Sequence, residues 1–243
     1  MEIKYSGRII MKYIAIFTAL LTLLSLPAVA QDWEKGLAAS QTGDYATALK
    51  EWKPLAEQGN ADAQYNLGTI YAFGHGVPKD YKEAVKWHRL AAEQGIVQSQ
   101  FNLGVMYKNG QGVTRDYKEA GRWYRLAAEQ GYASAQYNLA NMYRDGKGVP
   151  KDYKESLKWN RLAAEQGYAS AQNNLGMIYT KGHGVLKGGV RAHLWFSIAA
   201  FNGSKSAGKN RDGLAKTLSP EALEIAQTMA KKCIESGYTE CGY

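Results

Sequence analysis

The sequence predicts an all-α protein, a right-handed α-solenoid of about twelve antiparallel helices in helix-turn-helix repeats. Three observations favour this fold. Segments 61–96, 97–132, 133–168 and 169–204 align without gaps at a period of 36 residues. Within each segment, apolar residues recur at the spacing of a helix buried on one face, and a glycine pair separates two such stretches. Because helices of about 13 residues are marginal alone, the stacking of neighbouring repeats must supply most of the stability.

Each repeat is predicted to contain two helices. In the first repeat, the opening helix covers roughly 61–73 and carries Leu67 and Ile70 on its apolar face. Gly74 is expected to end it in the left-handed conformation, and Gly76 to permit a tight turn. Small residues at one position of this helix are expected to let it approach a neighbour closely. They are Gly68, Gly104, Ala140 and Gly176.

The second helix of each repeat is expected to begin at an aspartate. Asp80 is followed three residues later by Glu83, which predicts a capping box, and the next two repeats contain the same pair. The fourth repeat differs, because Gly188 and Gly189 replace the aspartate and the tyrosine that follows it. This change is expected to delay the start of the helix and to loosen the turn.

The ends of the chain have different features. Residues 1–30 are typical of a cleaved signal peptide, with a basic leader, an apolar run of 13 residues from Ile14 to Leu26, and Ala28-Val29-Ala30 before the cleavage point. This run is shorter than the roughly 20 residues that span a bilayer, so no stable membrane insertion is expected; an uncleaved anchor is the alternative. Export would place the protein in the periplasm or outside the cell. Cys233 and Cys241 are expected to form a disulfide in that oxidising environment.

The predicted organisation is therefore a leader over 1–30, capping helices over 31–60, four repeats over 61–204, and capping helices with the disulfide over 205–243. Ser219 and Pro220 are expected to begin the last helix, which should end near Glu235.

The repeated motif resembles that of the Sel-one-like repeat (SLR) family, which is related to tetratricopeptide repeats. It reads A-x-A-Q-x-N-L-G-x-x-Y-x-x-G-x-G-V-x-x-D-x-x-x-A-x-x-W-x-x-x-A-A-x-Q-G, and residues 133–167 follow it almost letter for letter. The resemblance covers roughly 44–204. It implies a non-catalytic adaptor that binds another protein, since exported bacterial members of the family often act in envelope regulation, complex assembly or host contact.

In related solenoids, the first helices line a concave groove. The resemblance implies that this groove binds a peptide segment or a protein loop through residues from all four repeats. These residues are Asp62, Tyr65, Asn66, Thr69 and Phe73; Gln98, Phe101, Asn102, Val105, Lys108 and Asn109; Ser134, Tyr137, Asn138, Asn141, Arg144 and Asp145; and Ser170, Asn173, Asn174, Met177 and Lys181.

Two groups among these residues are open to two interpretations. The asparagines of the Asn66 series recur in every repeat, so they either bind the backbone of a ligand or hold the scaffold together. Tyr65, Phe101 and Tyr137 either form an aromatic ladder for a partner or pack between repeats.

The second helices suggest an alternative function. Basic residues recur on them at spacings of four and three, so stacked repeats would align three stripes on the outer, convex face. This face would attract an anionic component of the envelope; a plainly solvated face is the other interpretation, because glutamates lie among the bases. The stripes are Lys82, Lys86 and Arg89; Lys118, Arg122 and Arg125; and Lys154, Lys158 and Arg161.

No cofactor, metal or enzymatic activity is expected. The four histidines form no pair at metal-binding spacing, and the glycine turns lack the Lys-Ser/Thr ending of a phosphate loop. Ser206 and Lys209 have the Ser-x-x-Lys spacing of β-lactam-recognising enzymes, which makes such an enzyme a third hypothesis, but the accompanying motifs are missing. Export and the lack of a recognised binding fold argue against a nucleic-acid partner.

Overall fold

The computed structural model describes residues 26–241, with side chains from Trp33 onward, and it contains twelve α-helices and no strand among those residues. Most of the predicted leader, residues 1–25, lies outside this part of the chain. The helices are α1 Leu26–Gln41, α2 Tyr45–Glu57, α3 Ala61–Phe73, α4 Tyr81–Glu93, α5 Val97–Asn109, α6 Tyr117–Glu129, α7 Ala133–Asp145, α8 Tyr153–Glu165, α9 Ala169–Lys181, α10 Gly189–Phe201, α11 Lys205–Ala215 and α12 Pro220–Glu235.

The chain divides into two compact units, one ending at Ile96 and the other beginning at Val97. In the first unit, α1 to α4 pack consecutively in pairs around Trp52 and Trp87. In the second unit, α5 to α11 pack in the same consecutive manner, and α12 folds back onto α10. The predicted all-α solenoid is confirmed. None of the helices in the described part of the chain is both long enough and apolar enough to cross a membrane.

A leucine series forms the centre of the core in both units. Each of these leucines is completely buried, which contributes about 1.5–3 kcal/mol per side chain to the free energy of unfolding. The series recurs once per repeat because the sequence does, so each repeat adds one such residue to the stack. Its members are Leu67, Leu103, Leu139 and Leu175.

Aspartates begin the second helices as predicted. Asp80, Asp116 and Asp152 each accept hydrogen bonds from the backbone N–H groups two and three residues later, at 2.8 and 3.1 Å. The predicted capping box is only half formed, however. The backbone N–H of each aspartate donates to the carbonyl of a tyrosine in the first helix of the same repeat, so the glutamate is not needed there. Each glutamate instead pairs with the base three residues later.

The prediction of a delayed helix in the fourth repeat is wrong. Helix α10 begins at Gly189, in the same register as Tyr81, Tyr117 and Tyr153, although Gly188 provides no side-chain cap. The backbone N–H of Gly188 donates to the Tyr179 carbonyl at 3.1 Å, as the capping aspartates do in the other repeats. The backbone of the turn therefore sets the start of the helix, and the aspartate side chain adds to it.

The first and second helices of a repeat approach as closely as the small residues predict. An added Cβ at Gly68 would lie 2.7 Å from His88 Nδ1, and at Gly104 it would lie 2.5 Å from Tyr124 Cδ1. Such distances leave no room for a side chain. In the third repeat, Ala140 takes the glycine position and the smaller Asn160 stands where the other repeats have a ring. The third repeat therefore places a carboxamide at this buried position.

Buried glutamines connect successive repeats. Gln136 donates to the Ala128 carbonyl of the preceding second helix at 3.1 Å, and it accepts a hydrogen bond from Gln166 of its own repeat at 2.9 Å. Gln64 and Gln172 make the same two contacts. Because both ends of the carboxamide are satisfied inside the protein, we assign this glutamine ladder a structural role.

The C-terminal segment closes the ladder of the second unit. Asn202 donates to Gln172, and its own Oδ1 accepts a hydrogen bond from the Tyr238 hydroxyl at 2.8 Å. Tyr238 lies between Cys233 and Cys241, which are disulfide-bonded and buried. The disulfide thus holds Tyr238, which makes the last hydrogen bond of the glutamine ladder in the second unit.

Removing the disulfide should lower the stability of the second unit. The chain-entropy model gives about 2.6 kcal/mol for a loop of this size. We expect a lower urea midpoint after reduction, together with faster amide exchange in α12. A double variant, Cys233→Ala and Cys241→Ala, should have the lower midpoint already and should not respond to reductant; an unchanged midpoint after reduction of the natural chain would contradict the prediction.

Candidate functional site

The residues predicted for the groove come together in the second unit, where three adjoining clefts run along its first helices. We call them the amide clefts. The central cleft has a volume of about 360 Å³, and its neighbours have about 240 and 280 Å³. Arg144 lines both the central cleft and the 240 Å³ cleft, and Met177 and Asn210 line both the central cleft and the 280 Å³ cleft. Predicted residues in the clefts are Lys108, Asn138, Asn141, Arg144, Asp145, Asn173, Asn174, Met177 and Lys181.

Asparagine side chains form a hydrogen-bonded network in the central cleft. Asn174 Nδ2 donates to Asn141 Oδ1 at 3.0 Å and to Asn160 Oδ1 at 3.2 Å. Asn210 Nδ2 donates to Asn173 Oδ1 at 3.1 Å. Asn160 is buried and is anchored by its own bond to the Ser156 carbonyl at 2.9 Å. The network therefore fixes the rotamers of half-buried carboxamides that face the cleft.

The asparagine and glutamine series differ in how far their hydrogen-bonding capacity is used. Both ends of Gln136 and Gln172 are bonded within the protein. Asn174 and Asn210 use only their N–H groups, and no described residue donates to their Oδ1 atoms. A carboxamide oxygen at the wall of a cleft, with no internal donor, is available to an N–H group of a ligand.

The amide clefts have a positive electrostatic potential. Burial lowers the pKa of His183, and the charges of Lys181, Lys151 and Arg144 lower it further. The hydrogen bond from Arg144 lowers the pKa of the Asp145 carboxyl group, and the nearby lysines act in the same direction. The His183 ring stacks on Tyr153 with 4.2 Å between centroids, which holds it at the edge of the central cleft.

Other predicted groove residues of the second unit lie elsewhere. Phe101 contacts the rings of Tyr124 and Tyr132, with centroids 5.8 and 5.1 Å apart, and Tyr137 contacts Tyr168 at 5.4 Å. These two rings are half-buried against the core. Val105 also packs against the core. The remaining members do not line the amide clefts; they are Gln98, Asn102, Asn109, Ser134 and Ser170.

The predicted residues of the first unit form no comparable network among the described residues. Tyr65 packs against His88 with 5.8 Å between ring centroids, and the Thr69 hydroxyl donates to the Tyr65 carbonyl at 3.0 Å. Phe73 is 65% exposed and stacks on His75. Asp62 is exposed and Asn66 is half-buried.

The bases of the predicted outer stripes are largely engaged within the protein. Arg122 pairs with Glu119 at 3.1 Å and lies over the Trp123 ring at 4.0 Å. Lys86 and Lys158 make the equivalent contacts in their own repeats. Arg125 and Arg161 bond to the hydroxyls of Tyr143 and Tyr179 in the next repeat. These contacts favour the interpretation as a solvated face with some structural bases.

Ser206 and Lys209, the predicted Ser-x-x-Lys pair, are not hydrogen-bonded to each other in the described part of the chain. The Ser206 hydroxyl lies 3.2 Å from that of Ser204. Within residues 33–241, no group of three or more His, Cys, Asp or Glu side chains is placed to hold a metal ion.

Sequence reasoning missed several residues of the amide clefts. Asn210 lies one period after Asn174, so extending the repeat into α11 would have found it. The only sequence feature that pointed to Asn160 was Ala140, which takes the glycine position that faces residue 160 in the folded repeat. His183 and Lys147 occupy turn positions that differ between repeats, so their contribution to the cleft depends on tertiary packing.

Comparisons with known proteins support the repeat boundaries and the all-α solenoid fold. The Sel1 repeat model matches residues 61–96, 97–132, 133–168 and 169–204. The structure of c5321, a protective antigen in uropathogenic Escherichia coli strains that displays an SLR fold, is 35% identical with a TM-score of 0.78, over 86% of this chain and 47% of its own. A Sel1 repeat protein from Oxalobacter formigenes is 32% identical with a TM-score of 0.73, over 87% of this chain and 92% of its own. The chain thus spans about half of the first structure and most of the second. No curated protein matches it.

Proposed function

The chain belongs to the Sel1 repeat family, whose members commonly take part in protein–protein interactions, and we propose from this premise that it is a non-catalytic adaptor of the bacterial cell envelope. It binds a peptide segment or a protein loop of its partner in the amide clefts of the second unit. Recognition uses shape and hydrogen bonds on a fixed surface, without turnover.

The observation that carries this proposal is the half-used asparagine network. Asn174 and Asn210 have fixed rotamers and present Oδ1 atoms without an internal donor. A peptide backbone offers N–H donors and carbonyl acceptors in alternation, so it matches a row of carboxamides. Ordering these side chains in advance lowers the entropic cost of binding.

Export is part of the proposal. It rests on the signal-peptide features of residues 1–30 and on the buried disulfide between Cys233 and Cys241, since disulfides persist in oxidising compartments.

A displayed library of short random peptides tests the binding mode. We expect the natural chain to enrich binders, and we expect the double variant Asn174→Ala and Asn210→Ala to bind them at least tenfold more weakly, since two hydrogen bonds at about 1 kcal/mol each are lost. Fluorescence anisotropy with the enriched peptides measures this change. The free energy of unfolding should fall by about 3 kcal/mol, because three internal hydrogen bonds at about 1 kcal/mol each are removed.

Asn109→Ala is the matched control, because Asn109 is an exposed asparagine of the same unit that does not line the clefts. It should leave peptide binding unchanged. Equal losses in the control and the double variant would show that the clefts are not the binding site.

A further inference from the structure

Building on the proposed function, we propose that the bound segment is acidic. It is an extended peptide stretch whose Asp or Glu carboxylates pair with Arg144 and Lys181, while its backbone bonds to the carboxamides of Asn174 and Asn210. This assigns a chemical class to the partner that the family does not specify.

The charges that line the amide clefts are unbalanced. Five basic side chains line them, and Asp145 is the one acidic side chain among their described lining residues. Asp145 is already paired with Arg144 at 2.7 Å. No ion pair among the described residues involves three of the cleft lysines. These are Lys147, Lys181 and Lys209.

Two titratable groups of opposite type indicate the same positive potential. Beyond the effect of burial, neighbouring cations lower the pKa of His183, and beyond the hydrogen bond from Arg144, cations lower the pKa of Asp145. A positive potential disfavours the protonated histidine and favours the ionised carboxylate. An incoming carboxylate gains from this potential, whereas on the outer face Arg122 and Lys158 are already paired with glutamates.

The carboxamides favour a peptide over another polyanion. A phosphate or sulfate polymer offers acceptors only, so it would leave the Oδ1 atoms of Asn174 and Asn210 without a donor. A peptide supplies both the carboxylates for the bases and the N–H groups for these oxygens.

The same peptide library tests whether the bound segment is acidic, because the composition of the selected peptides can be compared with that of the input. We expect Asp and Glu to be enriched over the input, and we expect exchange of the acids for Asn and Gln in the tightest peptide to weaken binding about tenfold. The double variant Arg144→Gln and Lys181→Gln should also bind the acidic peptide about tenfold more weakly. The matched control, Arg122→Gln and Lys158→Gln, removes the same charges from the outer face and should change binding by less than about twofold.

Asp145→Asn should change the peptide affinity in the opposite direction. It removes the carboxylate that competes for Arg144, so the acidic peptide should bind about twofold to fivefold more tightly. A purely structural role for the Arg144–Asp145 pair would not produce tighter binding.

The outcomes separate this inference from the proposed function. The acidic segment would be overturned if the selected peptides were not enriched in Asp and Glu, or if the cleft and control variants lost the same affinity. The double variant Asn174→Ala and Asn210→Ala would still test whether the amide clefts bind a peptide. A library without any binder would overturn both. Tighter binding of inorganic polyphosphate than of every selected peptide would overturn the peptide assignment.

Discussion

Replacing Gly148 by alanine should lower the free energy of unfolding by about 4 kcal/mol, one of the largest effects expected for a single methyl group in this chain. Gly148 is the second glycine of the turn in the third repeat, with φ at 74°. An L-residue in this conformation costs about 1–2 kcal/mol. A Cβ there would also overlap the Tyr117 carbonyl oxygen of the preceding repeat. Because that atom belongs to the backbone, no side-chain rotation relieves the overlap, and the turn must move away from α6.

Gly131→Ala isolates the clash from the backbone strain. Gly131 has φ at 87°, but an added Cβ would meet no atom within 4 Å. We therefore expect a loss of only about 1–2 kcal/mol at this position. Urea unfolding of the two variants measures the difference directly. Equal losses would show that the close approach of the turn to α6 contributes nothing to stability.

The pair Gly104 and Tyr124 should show strong coupling in a double-mutant cycle. Gly104→Ala alone should cost about 2 kcal/mol, since the new Cβ meets the Tyr124 ring 2.5 Å away. Tyr124→Asn alone should cost about 3 kcal/mol, because it empties a completely buried site. Together the two changes recreate the Ala140–Asn160 pair of the third repeat, so the double variant should be about 1–2 kcal/mol more stable than the sum predicts.

The coupling has a structural basis beyond volume. The Tyr124 hydroxyl is buried without a hydrogen-bond partner in the described chain, whereas Asn160 bonds to the Ser156 carbonyl and to Asn174. An asparagine at position 124 would find the Ala120 carbonyl and Asn138 at the equivalent places. Denaturant unfolding of the four chains gives the coupling energy. Additive losses would indicate that the two helices move apart independently of which side chains face each other.

Much of the fold follows from the sequence because local signals agree with one another. The predicted first helix over 61–73 matches Ala61–Phe73, and the helix-ending glycine Gly74 has φ at 74°. The caps at Asp80 and Ser219 are present. Repetition strengthens each of these predictions, since an error in one repeat would be exposed by the others. The start of α10 was mispredicted because a backbone hydrogen bond that all four repeats share, invisible in the sequence, sets the start of the helix without the aspartate side chain.

The candidate site was predictable only where it follows the register of the repeats. Asn138, Asn141 and Asn174 could be placed on one surface because their helix positions recur. The hydrogen bonds that distinguish the asparagine network from the glutamine ladder join side chains of different helices, 33 residues apart for Asn174 and Asn141 and 30 for Gln166 and Gln136. No spacing rule gives these distances. The contacts of the outer bases were also not predictable from spacing. Arg125 and Arg161 belong to the basic stripes in sequence, but they bond to tyrosine hydroxyls in the structure.

The closing of the glutamine ladder by Tyr238 also affects self-association. A stack of identical modules presents at its last module the same surface that every earlier module used to receive a neighbour, and an uncovered surface of this kind invites head-to-tail polymerisation. The Tyr238 hydroxyl, in the segment held by the disulfide, already donates to Asn202 Oδ1, so this acceptor is not open to a second molecule. Losing that bridge should therefore favour filament growth as well as unfolding.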